Sequence, residues 1–319
     1  MLLIDFIFIV FGFVFLVVSA NFAIKRVIRI SRWLGFSEYI VSFIAVGVIA
    51  VLPEFMIGIN SALENTSSFG LGVIFGANIA DLTLIIGIMA FFAPAVKMRD
   101  KVIKKAGFML LLISLPVVFL LDGEISRFDG IILLLCFLFY VFKIVTSEHP
   151  LNKEFAAKEK INIGFEIIVL FFALAVLFAS SFFITEGAKS LSEFLAFPVF
   201  FIGIILAVGT CLPELIFSTQ ASNKSHIELG FGDILGNVFA DCTLTIGVIS
   251  ILSPIRPVQN NLAVASGAFM IVAFLVIIFL FNQKKEISKR IGISLIFLYI
   301  FFLLAQFVVE SLILAGAAA

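Results

Sequence analysis

The chain has 319 residues, 62% of them hydrophobic and 13% charged, with a mean hydropathy of +1.25 and a formal net charge of zero. A water-soluble domain carries roughly a quarter charged residues, so this composition excludes an ordinary soluble protein, and the even charge balance gives no reason to expect nucleic acid as a partner. Three cysteines, Cys136, Cys211 and Cys242, lie in apolar runs without paired spacing, which argues against a disulfide or zinc framework, and the two histidines, His149 and His226, sit in polar stretches.

Crossing the hydrocarbon core takes ~20 apolar residues per helix. On that measure the sequence predicts an all-α polytopic membrane protein with ten transmembrane helices, at about 3–24, 36–62, 70–95, 106–121, 128–146, 163–184, 195–220, 230–252, 261–282 and 291–315. The first apolar run has no basic region before it and is read as a retained helix, not a signal peptide. The fourth is short for a full span. The long polar stretch at 146–162 divides the chain into a first five-helix repeat, 1–145, and a second, 163–319.

Basic residues mark cytoplasmic loops. Of the 21 Lys and Arg, 18 fall in alternate loops, after the first, third, fifth, seventh and ninth helices, and only Arg127, Lys189 and Arg256 fall in the others. Both termini are therefore expected outside and the central loop inside, in a multi-pass protein of the cell membrane surrounded by lipid. With five helices per half, the second half enters from the opposite side. A repeat between the halves is then an inverted one, a pattern of secondary transporters.

Such a repeat is present at an offset of 160 residues. Leu52-Pro53-Glu54 falls on Leu212-Pro213-Glu214, Gly70, Gly72 and Gly76 fall on Gly230, Gly232 and Gly236, and Ala80-Asp81 falls on Ala240-Asp241. Thr83 and Thr243, Gly87 and Gly247, and Pro94 and Pro254 continue the register. Apolar composition produces chance Leu and Ile matches, but not paired Pro-Glu, paired Asp and paired Gly in one frame.

Glu54 and Asp81 stand on the two arms of a hairpin whose polar turn, Leu63 to Ser68, lies midway between them; Glu214 and Asp241 have the same relation to the turn Asn223 to Glu228. Equal distance from the turn means equal depth, so all four carboxylates are expected together near the membrane midplane. A charge there costs at least ~2.5–3.5 kcal/mol, so the group needs cations, protons or both. Hard oxygen ligands without His or Cys suit calcium, magnesium or sodium. The prolines before the two glutamates free helix carbonyls one turn back, near Ile49 and Gly209, which can line an ion cavity. Further candidates are Asn78 and Asn237, within a turn of the aspartates, Thr210 and Cys211 just ahead of Leu-Pro-Glu, and Asp233, whose repeat position holds Val73. Thr83 and Thr243 are expected to bond their own helix backbones, and the glycines to serve packing. Glu38, Glu166 and Glu310 lie near helix ends and are read as interfacial.

At these residues the chain resembles the sodium/calcium exchanger family of the calcium/cation antiporter superfamily. The motif runs Gly209-Thr210-Cys211-Leu212-Pro213-Glu214 and Gly232-Asp233-Ile234-Leu235-Gly236-Asn237-Val238-Phe239-Ala240-Asp241 in the second half. In the first half it runs Leu52-Pro53-Glu54 and Gly72-Val73-Ile74-Phe75-Gly76-Ala77-Asn78-Ile79-Ala80-Asp81. The resemblance implies ten helices in two inverted repeats, Glu54 and Glu214 as calcium-ligating glutamates, and Asp81 and Asp241 at the Asn/Asp position one hairpin away. It implies calcium exchanged for sodium by alternating access, with no enzyme activity and no resident cofactor beyond the transported calcium and sodium or protons. Val51, Ala77, Cys211 and Asn237 stand where the family's sodium-binding hydroxyls would fall, and none is Ser. Exchange of calcium, or another divalent ion, for protons is the alternative.

Two other classes compete. Gly230-Phe231-Gly232-Asp233 fits the Gly-x-Gly-Asp pattern of intramembrane aspartyl proteases, but the partner Tyr-Asp and Pro-Ala-Leu motifs are missing. A passive cation channel would use the same carboxylates; dependence of flux on a counter-ion separates it from an exchanger.

Overall fold

The computed structural model describes residues 2–33, 51–92, 100–147, 161–212, 214–215, 227–284 and 288–317. Within them the chain is helical almost throughout, as lipid demands of a backbone whose polar groups have no water to bond. The helices are α1 (Leu2–Trp33), α2 (Leu52–Leu63), α3 (Ser67–Ala80), α4 (Ile86–Phe92), α5 (Asp100–Phe119), α6 (Arg127–Ser147), α7 (Ile163–Leu195), α8 (Val199–Thr210), α9 (Ile227–Ala240), α10 (Ile246–Leu252), α11 (Asn260–Lys284) and α12 (Lys289–Ala317). The expected spans are all represented. The call on 36–50, the middle of the polar linker and the turn after the seventh helix, with Ile49, His149, Lys224 and His226, lie outside the described residues.

Boundaries differ where hydropathy was the only guide. The fourth helix is not short: α5 starts at Asp100 and takes in the basic segment that hydropathy assigns to a loop, because Lys is a good helix former. α7 runs on to Leu195 through a polar stretch that hydropathy ends at 184, and α1 runs to Trp33.

The two longest helices, α1 and α7, lie along one another. Their outward faces are lipid-facing in character, with Phe11, Phe171 and Phe172 more than half exposed. Arg26 and Arg29 of α1 clasp Glu166 of α7 at 2.8 and 3.1 Å. Glu166 is thus a buried ion-pair partner rather than an interfacial carboxylate, and Glu310 is fully buried as well. Both were misread because position near a helix end does not show which way the side chain packs. The Glu38 reading lies outside the described residues.

The core behind this pair is built from close crossings. α2 turns back through Asn65, at φ 56°, into α3; Asn is one of the few side chains that tolerate this left-handed conformation. α3 crosses α8 so tightly that a Cβ on Gly72 would overlap the Phe200 backbone and one on Gly76 would sit 2.8 Å from Ala207. Without a hydrophobic force between helices in lipid, such close backbone approach is what holds them. Elsewhere α6 packs on α10, α11 on α5 and α12 on α4.

One feature appears twice. Between α3 and α4, residues Asp81–Ile85 form a π-turn, and between α9 and α10 so do Asp241–Thr245. The two turns stand 160 residues apart, like the motifs, and each begins on an aspartate of the expected ion site.

Candidate ion site

Each expected ligand sits at an irregularity in a helix. Val51 ends one segment (φ −79°, ψ 3°) and Leu52-Pro53-Glu54 opens α2. α8 stops at Thr210, and Cys211 takes the same broken conformation (φ −76°, ψ 1°) ahead of Glu214. Proline cannot donate the helix bond its position calls for, which accounts for a break in both halves. Asn78 and Asp81 lie where α3 becomes π, and Asn237 and Asp241 where α9 does. A π-turn inserts one residue into the helical register and recurs at functional sites.

These positions are all interior. Glu54 is 4% exposed, Asp81 3%, Glu214 4% and Asp241 2%, and Asn78, Asn237 and Thr210 are buried too. The structure gathers them around Cys211, whose thiol lies within electrostatic reach of Asp81, Glu54 and Glu214. Asp241 lies within reach of Glu54 and Asp81. Thr210 stands against the Glu54 carboxylate while its hydroxyl donates to the Ala207 carbonyl at 2.8 Å. The Cys211 thiol points to the Ala77 carbonyl at 3.6 Å, tying the end of α8 to α3. The Asn78 amide donates to the Cys242 sulfur at 3.5 Å.

Several oxygens remain available to a ligand. Among the described residues, Glu54 Oε2, Asp241 Oδ1, Asn78 Oδ1 and both polar atoms of Asn237 have no hydrogen-bond partner. A buried acceptor in this state costs about 1–3 kcal/mol, more if charged, and a cation would relieve it. Among the described residues, however, no three His, Cys, Asp or Glu side chains are close enough together to hold a metal ion. The carboxylates are neighbours, not a closed cage, as expected of like charges with nothing between them.

The remaining sequence candidates divide. Thr83 and Thr243 are spent on their own helices, donating to Ile79 and, at 2.7 Å, to Phe239. Gly70, Gly72 and Gly76 serve close packing as expected. The Asp233 side chain lies outside the described residues. Sequence reasoning missed Thr245, whose side chain meets Asp241, and Cys242. Thr245 stands four residues after the aspartate, but its repeat partner is Ile85, so the repeat gave no signal.

A profile described as "Sodium/calcium exchanger protein" matches residues 4–145 and 165–308, nearly the whole chain in two blocks. The chain belongs to the sodium/calcium exchanger family. It is a multi-pass membrane transporter of the antiport class, not an enzyme. Over its full length this exchanger is 24% identical to the sodium/calcium exchanger MaX1 of Methanosarcina acetivorans, covering 96% of this chain and 99% of that one. It is 27% identical to the putative antiporter CaxA of Alkalimonas amylolytica, covering 90% and 92%. Among solved structures it superposes on the sodium-calcium exchanger NCX_Mj with a TM-score of 0.65 at 23% identity, covering 94% of this chain and 98% of that one. It superposes on the H+/Ca2+ exchanger CAX with a TM-score of 0.75 at 16% identity, covering 97% and 85%. At these identities the two superpositions speak to the fold.

Proposed function

We propose that this exchanger carries calcium against sodium across the cell membrane by alternating access, with Glu54, Asp81, Glu214 and Asp241 as the charged ligands. Asn78, Asn237, Thr210 and Asp233 complete the site. The single observation that carries this reading is the gathering of four almost fully buried carboxylates around Cys211, on helix breaks that recur at one offset. The open spacing fits a carrier whose cation draws the ligands together on arrival. The transported ions are the only ones the cycle needs, and no resident cofactor is involved.

On the same reading the chain folds as two inverted five-helix repeats, 1–145 and 163–319, joined by a cytoplasmic linker at 146–162, with both termini outside. The basic loops support that orientation: Arg26 and Arg29 of α1 and Lys289 and Arg290 of α12 belong to the cytoplasmic set.

Proton coupling is the second reading, and a specific observation favours it. Val51, Ala77 and Cys211 offer no hydroxyl where sodium would need neutral oxygens, whereas a proton needs only a carboxylate. Calcium-45 uptake into proteoliposomes under separately imposed outward sodium and proton gradients tests both. Uptake driven by sodium and indifferent to pH between about 6 and 8 supports sodium coupling. Uptake driven by the proton gradient alone replaces sodium with protons, and flux that needs no counter-ion makes the protein a channel.

A further inference from the structure

The calcium site does not use a second set of buried polar groups that runs along α12. Glu310, near the far end of that helix from Lys289, is fully buried. Its Oε1 accepts a hydrogen bond from Gln259 Nε2 at 2.9 Å, and its Oε2 has no partner among the described residues. One turn along α12 lies Gln306, 6% exposed, which donates to the Ser266 hydroxyl of α11 at 2.8 Å. Two turns further on lies Tyr299, 4% exposed. Spacings of four and seven place all three on one helical face, over about 16 Å of axis.

The inner end of this row reaches the ion site: the Tyr299 hydroxyl lies within electrostatic reach of the Cys211 thiol, the residue around which the carboxylates gather. The other end reaches open space. A cavity of about 110 Å³ lies beside Gln259, lined also by Ser68, Pro198, Phe200, Val258 and Leu262, and that is room for several water molecules. Along the row Gln259 Oε1, Glu310 Oε2, Gln306 Oε1 and Tyr299 Oη all lack a partner among the described residues. Buried groups of this kind are the ones bridging waters satisfy. The single apolar interruption is Phe302, packed on Phe269 with ring centroids 4.8 Å apart, between Gln306 and Tyr299.

We propose that the face of α12 formed by Glu310, Gln306 and Tyr299, with Gln259 and Ser266, is a proton path between the cavity at Gln259 and the carboxylates around Cys211. This rests on the reading of those carboxylates as the exchange site. A proton taken up by Glu310 at the cavity passes by hydrogen-bonded hops to Gln306 and Ser266, then past the Phe269–Phe302 pair to Tyr299, and from there to a site carboxylate vacated by calcium. The reverse order returns it. Gln259 and Gln306 are the groups that face Glu310. The charged groups at this end are engaged elsewhere: Lys189 by Glu64 and Glu186, Arg256 by Glu124, and Asp129 by Ser126.

The test compares two fluxes in the same proteoliposomes. Calcium-45 self-exchange, calcium against calcium, needs the site but no coupling ion; uptake driven by a proton gradient needs both. The variants are Glu310→Gln, Gln306→Leu and Tyr299→Phe, with Glu310→Asp as the conservative control. The expected result is a loss of proton-driven uptake by about 100-fold in Glu310→Gln, in line with removal of a positioned proton carrier. Self-exchange should remain, and Glu310→Asp should recover part of the proton-driven flux. Proton-driven uptake that survives all three substitutions overturns the path, as does wild-type protein that self-exchanges calcium yet ignores the proton gradient. Parallel loss of both fluxes in Glu310→Gln makes the residue structural and also overturns it. Wild-type protein without calcium self-exchange removes the exchange-site reading itself, and the path with it.

Discussion

The two acid-bearing halves carry the same motif on differently packed frames. In the first, Gly72 and Gly76 are pressed against α8, and the turn between α2 and α3 is fastened to α7. Lys189 reaches Glu64 at 3.0 Å, and Asn60 donates to the Phe178 carbonyl at 3.1 Å and to the Ser181 hydroxyl. In the second half, Gly232 is exposed and Gly236 half-buried, and neither has an atom of the described residues within 4 Å of its Cβ position. The charges differ as well. The repeat partners of Lys189 and Glu64 are Arg29 and Lys224, two like charges that cannot pair, and Arg29 is held by Glu166 instead. A shared motif therefore places the same ligands without fixing how tightly each half is packed around them.

The largest expected effect breaks the comparison at its point of identity. Glu54→Gln and Glu214→Gln should each lower calcium flux by about two orders of magnitude, equivalent to ~3 kcal/mol, because Gln keeps the shape and removes a charge that a dehydrated divalent ion needs. Calcium-45 uptake at low calcium is the measurement. Equal losses make the halves functionally equivalent at the site, and wild-type flux in either variant takes that glutamate out of it.

Packing gives the next contrast. Gly72→Ala forces a methyl into the Phe200 backbone and should destabilise the protein by about 1–3 kcal/mol, the usual cost of overpacking; Gly232→Ala should cost little. The buried thiols of Cys211 and Cys242 make a thiol-reactive dye a direct reporter of thermal unfolding in detergent. Equal melting shifts for the two substitutions would erase the asymmetry.

The smallest effect belongs to the ion pair at the turn. Lys189 is 25% exposed and Glu64 36%, so Lys189→Gln should change stability by less than ~1 kcal/mol and leave calcium affinity intact. A large loss of affinity, measured by calcium-45 binding, would mean that the fastening of α7 to the α2–α3 turn shapes the site itself.

Much of this arrangement was legible in the sequence because membrane helices announce themselves by apolar length and because the repeat places Glu54, Asp81, Glu214 and Asp241 in one frame. What stayed hidden depends on direction rather than position. Nothing in the run of residues around Glu310 shows that its side chain turns inward to Gln259, or that Glu166 turns onto Arg26 and Arg29. Hydropathy ended α7 near 184, since Thr185, Glu186, Lys189 and Ser190 look like a loop, yet they continue the helix. Neither π-turn could be read, because a helix with one surplus residue has the same composition as one without it. Cys242 and Thr245 came into view only once that surplus had turned them toward their partners.

The two π-turns also have a consequence for how the chain can change over time. A surplus residue shifts the angular phase of everything beyond it by roughly 100°, so Ile86–Phe92 and Ile246–Leu252 present their present faces only while the insertion is retained. In the first half that face includes Gly87, where an added Cβ would lie 2.8 Å from the Gly292 carbonyl on α12; in the second it includes Gly247, against Leu134 and the Gly130 carbonyl of α6. Deleting one residue between Asp81 and Ile85 would rotate Gly87 away from α12 and bring a bulky neighbour into a gap sized for hydrogen. The spacing of the acids from these glycines is thereby held by sterics at a distance from the ion, and lineages can exchange the ligands themselves more freely than they can change the number of residues between Asp81 and Gly87.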